Sequence, residues 1–170
     1  MPAKSSAQHR SGCPVSTALE LVGDKWSLLI VRDVMVRGYR TFREFQGSGE
    51  GIATNILTDR LRKLESGGIL VREPAAEDGR SMHFRLTEKG FALAPVLLEL
   101  LIWGGHHEKT DAPCEAIEQM EQNRATVIAE AYRRWRQRDP TPLIPPFAAT
   151  VSRRSNRKTK FISPKGKTTR

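Results

Sequence analysis

A chain of 170 residues can build one compact domain with appendages and is too short for two well-filled cores. Its net charge of +9 would suit a nucleic-acid partner, yet the excess sits at the ends: residues 13–105 carry 12 basic and 12 acidic side chains, residues 106–138 carry 6 of each, and residues 139–170 carry 8 basic against 1 acidic. With no apolar run near the ~20 residues of a membrane span, no secretory signal at the start and only Cys13 and Cys114 as cysteines, the expectation is a soluble cytoplasmic protein, not a membrane or disulfide-framed one.

Residues 1–12 are polar and small and read as a flexible arm. From Pro14 the apolar positions Val15, Ala18, Leu19 and Val22 recur at helical spacing until Gly23. Asp24 is placed to cap a second helix, whose expected buried stripe is Trp26, Leu29, Ile30, Val34 and Met35. Thr41 followed by Glu44 has capping-box spacing and opens a short helix through Gln46. The glycine-rich run 47–51 makes a turn, and a longer helix is predicted over 53–66. There Ile56, Leu57, Leu61 and Leu64 face a core, while Thr54, Asn55, Thr58, Asp59, Arg62 and Lys63 face outward. Gly67 and Gly68 supply a left-handed stop.

Residues 70–73 and 82–86 have strand character, with Glu77, Asp78 and Gly79 as turn formers between them. Thr87 and Glu88 begin a helix so apolar, from Phe91 to Trp103, that one buried face cannot account for it. Pro95 should bend it or begin a new segment. A second copy of the chain is the economical cover, giving a homodimer across this helix and the N-terminal one. One amphipathic helix is predicted over 115–138, with Ile117, Met120, Val127, Ile128, Ala131 and Trp135 inward. Prolines then break the chain, and the basic segment from 151 onward reads as disordered.

Helix, turn, helix, strand, turn, strand between Thr41 and Thr87 is the layout of a winged helix-turn-helix. The fold class is therefore mainly α with a small β-hairpin wing, in a homodimer. The division expected is an arm (1–12), a DNA-binding and dimerisation domain (13–105), a helical extension (106–138) and a Pro-rich then basic tail (139–170). In such a fold the second helix enters the major groove with its N-terminal residues at base edges, so Thr54, Asn55 and Thr58 are the candidate readers. Arg62 and Lys63 follow one or two turns later. Arg80 beside the hairpin turn, with Arg40 and Arg43 near the start of the first motif helix, are candidates for phosphate contact; His83 and Arg85 are weaker ones. Each residue also has a plainer reading, as a helix cap for Thr54 or Asn55 and as a solvated face for Arg62 and Lys63. Arg60 reads equally as structural, folding toward Asp59 or Glu65, or as phosphate-directed.

Three blocks in order, C-P-V-S-T-A-L-E-L-V-G-D-K-W-S-L-L-I-V-R-D, G-I-A-T-N-I-L-T-D-R-L-R-K-L-E-S-G-G-I-L-V-R-E and L-T-E-K-G-F-A-L-A-P-V-L-L-E-L-L-I-W-G, resemble the HxlR family of bacterial winged-helix regulators, relatives of the MarR group. The resemblance covers residues 13 to about 105. It implies a dimeric DNA-binding transcriptional regulator acting at a promoter, with the terminal helices at the dimer interface and the helix from Ala53 as reading element. Where the family has serine this chain has Ala53, so Thr54 or Asn55 is expected to cap instead. Cys13 matches the cysteine opening the family's first block, which some relatives use to sense oxidants or electrophiles. A thiol at a helix N-terminus gains reactivity there, while the alternative for Cys13 is a small buried hydrophobe.

The group His106, His107, Glu108, Asp111 and Cys114 matches no zinc spacing, and no nucleophile or phosphate-loop motif is present. Neither metal, cofactor nor enzymatic chemistry is expected. The reading is a repressor that binds a short inverted repeat in double-stranded DNA and answers a thiol-reactive or small-molecule signal. The alternatives are a nonspecific architectural DNA binder using the basic tail, or a winged-helix module that binds protein.

Overall fold

The computed structural model describes residues 11–75, 81–139 and 141–143. They form eight helices and one two-stranded sheet. Helix α1 (Pro14–Val22) starts on Pro14, whose fixed φ suits a first helical position. Helix α2 (Lys25–Val36) starts on Asp24, whose carboxylate accepts from the backbone N–H of Trp26 and Ser27 at 3.1 and 3.0 Å and from the Ser27 hydroxyl at 2.7 Å.

The fully buried positions of α2 are Ser27, Ile30, Val31 and Asp33. Of the expected stripe only Ile30 is among them; Trp26, Leu29, Val34 and Met35 are half-buried. The stripe is rotated because the two polar residues find partners within the fold, Ser27 in Asp24 and Asp33 in Arg32 and Arg37, so that both can sit inside.

Helix α3 (Phe42–Gln46) and α4 (Thr54–Ser66) follow. Leu57, Leu61 and Leu64 line the inner face of α4 at three- and four-residue spacing and are at most 2% exposed. Each such leucine contributes about 1.5–3 kcal/mol by leaving water. Gly68, at φ 70°, ends α4: its N–H bonds Glu65 O, and the N–H of Ile69 bonds Leu64 O, a pairing that needs a left-handed residue between them.

Strand β1 (Leu70–Pro74) pairs antiparallel with β2 (Met82–Leu86), with Leu70 opposite Leu86 and Pro74 opposite Met82. Leu70, Phe84 and Leu86 point to the core shared with α4. The expected turn Glu77, Asp78, Gly79 and the candidate Arg80 lie outside the described residues.

Helix α5 (Glu88–Phe91) is capped by Thr87, and Pro95 lies in the first turn of α6 (Ala94–His107), so it begins a segment. The single helix expected over 115–138 is two, α7 (Cys114–Gln122) and α8 (Arg124–Gln137), separated at Asn123. A straight helix of that length would run about 36 Å past the domain. The break lets Ile117 of α7 pack on Leu98 and Ile102 of α6, while Ala131 of α8 packs on Phe91 and Ala94. Packed structure continues past 138, since Leu143 donates its N–H to Val36 O at 2.7 Å.

Candidate nucleic-acid interface

The turn between α3 and α4 is held from below. Arg32 bridges Asp33 at 2.7 Å and Glu50 at 2.9 Å, and Arg37 reaches Asp33 at 3.1 Å and the Ser48 carbonyl at 3.0 Å. Four charged side chains thus tie the glycine-rich turn to the end of α2. Asp33 lies within four residues of both arginines, whereas Glu50 is 18 residues from Arg32. At the start of α3 the capping box is closed, with Thr41 Oγ1 accepting from the Glu44 N–H at 3.3 Å and Glu44 accepting from the Thr41 N–H at 2.7 Å.

On α4 the structure separates the candidates. Thr54, Asn55 and Arg62 are exposed and Thr58 is half-buried, all away from the leucine face. Gln46 donates to Thr54 Oγ1 at 2.9 Å, joining the two motif helices, and the Thr58 hydroxyl donates to Thr54 O at 2.9 Å. The helix cap is Ala53, which offers no side-chain acceptor. Neither Thr54 nor Asn55 substitutes for it, because both already lie inside the helix: Thr54 is its first residue.

Lys63 does not stand free on the outer face as expected. Its amine lies 3.6 Å from Asp24 Oδ2, and Arg60 lies 3.4 Å from Asp24 Oδ1 and 3.4 Å from Asp59. Both cations are drawn to the N-terminus of α2, 36 residues or more away in sequence, where the cap already concentrates negative charge. Arg43 and Arg62 are exposed, and neither lies within 4.0 Å of any described carboxylate. Arg40 instead donates to the Arg138 carbonyl at 3.0 Å. Arg85 pairs with Glu73 at 3.5 Å and donates to the Trp135 carbonyl at 3.0 Å, so it too is engaged.

Two features lie off this face. Cys13 is exposed at the N-cap of α1, and Cys114 is exposed at the first position of α7. Val15 and Leu19 on α1, and Val96, Leu100 and Trp103 on α6, are 48–65% exposed, a large apolar presentation for a small domain. His106 is paired with Glu121 at 2.9 Å, and the described residues contain no group of His, Cys, Asp and Glu arranged to hold a metal. No helix among the described residues is long and apolar enough to cross a membrane.

Residues 21–112 match the HxlR-like helix-turn-helix family, more than half of the chain. The chain belongs to this family. Among its HxlR-like relatives, the uncharacterised HTH-type transcriptional regulator YdeP of Bacillus subtilis is 32% identical over 116 residues, 68% of this chain and 90% of that protein. The HTH-type transcriptional regulator YodB of the same organism is 33% identical over 105 residues, 61% of this chain and 93% of that one. Among solved structures, PA1607, a candidate transcription factor, aligns with TM-score 0.56 and 43% identity over 62% of this chain and 72% of its own. The redox regulator HypR in its oxidised form aligns with TM-score 0.52 and 33% identity over 58% of this chain and 100% of its own. The winged-helix fold and the HxlR assignment agree with the reading from sequence, and they make this chain a helix-turn-helix transcriptional regulator.

Proposed function

We propose that this chain acts in the cytoplasm as a homodimer that reads a short inverted repeat in double-stranded DNA and represses a promoter until a signal changes the spacing of its two reading helices. The observation that carries this is the two-sidedness of α4. Its leucines are locked into the core while Thr54, Asn55, Thr58 and Arg62 remain on the open side, braced through Gln46 to α3. Asn pairs well with adenine and Thr with a base edge or thymine methyl, while Arg62 and Arg43, with no described carboxylate within 4.0 Å, are suited to guanine or phosphate. The neutral balance of residues 13–105 is compatible with this, because a few placed charges and not a bulk field do the binding.

Dimerisation is supported by the exposed apolar residues of α1 and α6, which a second copy would cover. In such a dimer the two α4 helices address major grooves about 34–36 Å apart. Thiol modification at the exposed Cys13 is the favoured signal, and the description of HypR as a redox regulator supports it. The cavity between α2, α5, α8 and β2 measures about 40 Å³, room for water and not for an organic effector.

Selection of duplexes from a random pool, by the full chain and by a chain ending at Leu143, tests the reading. An enriched inverted repeat common to both supports it. Binding that vanishes with the basic tail and ignores sequence would favour the architectural alternative.

A further inference from the structure

Residues 113–143 lie outside the stretch that matches the family, yet they are fastened to the winged helix at three places. Their footing is on α6. Ile117 packs on Leu98 and Ile102, so close to Gly105 that a Cβ there would come within 2.7 Å of it, and Ala131 packs on Phe91 and Ala94. The second fastening is on the hairpin. Trp135 stacks on Phe91 with centroids 5.2 Å apart and donates its Nε1–H to Leu86 O at 2.9 Å, while Arg138 pairs with Glu73 of β1 at 2.9 Å. The third is on the end of α2 and the loop before α3, where Leu143 donates to Val36 O and Arg40 to Arg138 O.

The end of α8 therefore joins β1, β2 and the approach to α3. Its last carbonyls carry the partial negative charge of a helix C-terminus, and two arginines of the winged helix, Arg40 and Arg85, donate to them. A two-stranded hairpin is marginal alone. Here its inner face rests on the core with α4, and its outer side chains Glu73 and Arg85 are gripped by α8.

We propose that this segment is a buttress that sets the wing against the recognition helix, with Trp135 and Arg138 as positioning residues for DNA binding; the proposal rests on the DNA-binding reading above. Neither residue needs to touch DNA. Their backbone carbonyls hold Arg40 and Arg85 away from phosphate contact.

The test uses the full chain carrying Trp135→Phe with Arg138→Met, which keeps the ring but removes the indole donor and the ion pair. Arg138→Lys, in place of Met, restores the charge. Hydrogen exchange of the β1 and β2 amides is compared with that of the Leu61 and Leu64 amides of α4, and affinity is measured for the duplex selected by the wild type. The hairpin amides should exchange about threefold to tenfold faster and affinity fall by a similar factor, the scale of one net hydrogen bond, with α4 unchanged and Arg138→Lys recovering part of both. Equal acceleration in hairpin and α4, with affinity per folded molecule unchanged, would reduce the segment to a stability element and overturn the proposal. If the wild type selects no duplex, the DNA-binding reading fails and the positioning role with it, whatever the exchange pattern.

Discussion

Arg60 of α4 lies 3.4 Å from Asp24, the residue that caps α2. One carboxylate thus closes the first turn of α2 and holds the middle of α4. Asp24→Ala should cost about 0.5–2 kcal/mol for the cap alone. Asp24→Asn keeps the cap's acceptor for the two backbone N–H groups and loses the attraction to Arg60 and Lys63 and the acceptor for the Ser27 hydroxyl, so urea denaturation should place it between wild type and alanine. Equal loss in both variants would mean that the ion pairs, not the cap, carry the effect.

The same carboxylate sets a pH dependence. Burial pulls the Asp24 carboxyl upward, but the Ser27 hydroxyl and N–H, then Arg60 and Lys63, outweigh it and leave it below its ordinary value. Glu44 is likewise lowered: burial opposes, and the N–H groups of Arg40 and Thr41, the Thr41 hydroxyl and His83 prevail. A depressed folded value contributes stability above the unfolded value, near ~4, that is lost as pH falls through the folded one. Asp33 runs the other way, because burial raises it against the pull of Arg32 and Arg37. Its contribution is present below ~4 and is lost as pH rises through its folded value. Between pH 6 and pH 2.5 the melting temperature of Asp24→Asn with Glu44→Gln should fall less steeply than that of the wild type. Parallel curves would contradict these assignments.

The apolar residues of α1 and α6 predict an association that charge disrupts. Leu100→Glu with Trp103→Glu should shift sedimentation from dimer to monomer, with the far-ultraviolet helix signal preserved because both side chains are about half exposed or more. A wild type that sediments as a monomer, or a variant that remains dimeric, would place the partner surface elsewhere.

Cys13 is exposed at a helix start, and Cys114 is exposed at another. If Cys13 receives the signal, treatment with a thiol oxidant should release the wild type and Cys114→Ser from DNA, while Cys13→Ser stays bound. Release of Cys13→Ser by the same treatment would remove Cys13 from the mechanism.

What the sequence disclosed was local. The capping box at Thr41 and Glu44, the Asp24 cap, the left-handed Gly68 stop and the two strands each depend on residues a few positions apart, and the structure has them where the spacing put them. The outward face of α4 was legible for the same reason. What escaped depends on distant partners. Lys63 looked solvated because Asp24 is 39 residues away, and Arg40 looked free because its acceptor is the Arg138 carbonyl, 98 residues on. The rotated stripe of α2 is an exception: buried Ser27 and Asp33 have their partners one to four residues away, but burial of a polar side chain is not written in the apolar pattern. The break at Asn123 answers to the shape of α6 beneath it and has no strong breaker in sequence.

The most direct test of the account compares binding to every single-base variant of the selected duplex for wild type, Asn55→Ala and Arg43→Ala. Asn55→Ala should flatten the preference at one position in each half-site by about 1–3 kcal/mol, while Arg43→Ala should weaken all sites alike and lower the salt dependence. An Asn55→Ala protein with unchanged affinity and unchanged preference at every position would contradict the claim that the outer face of α4 reads DNA.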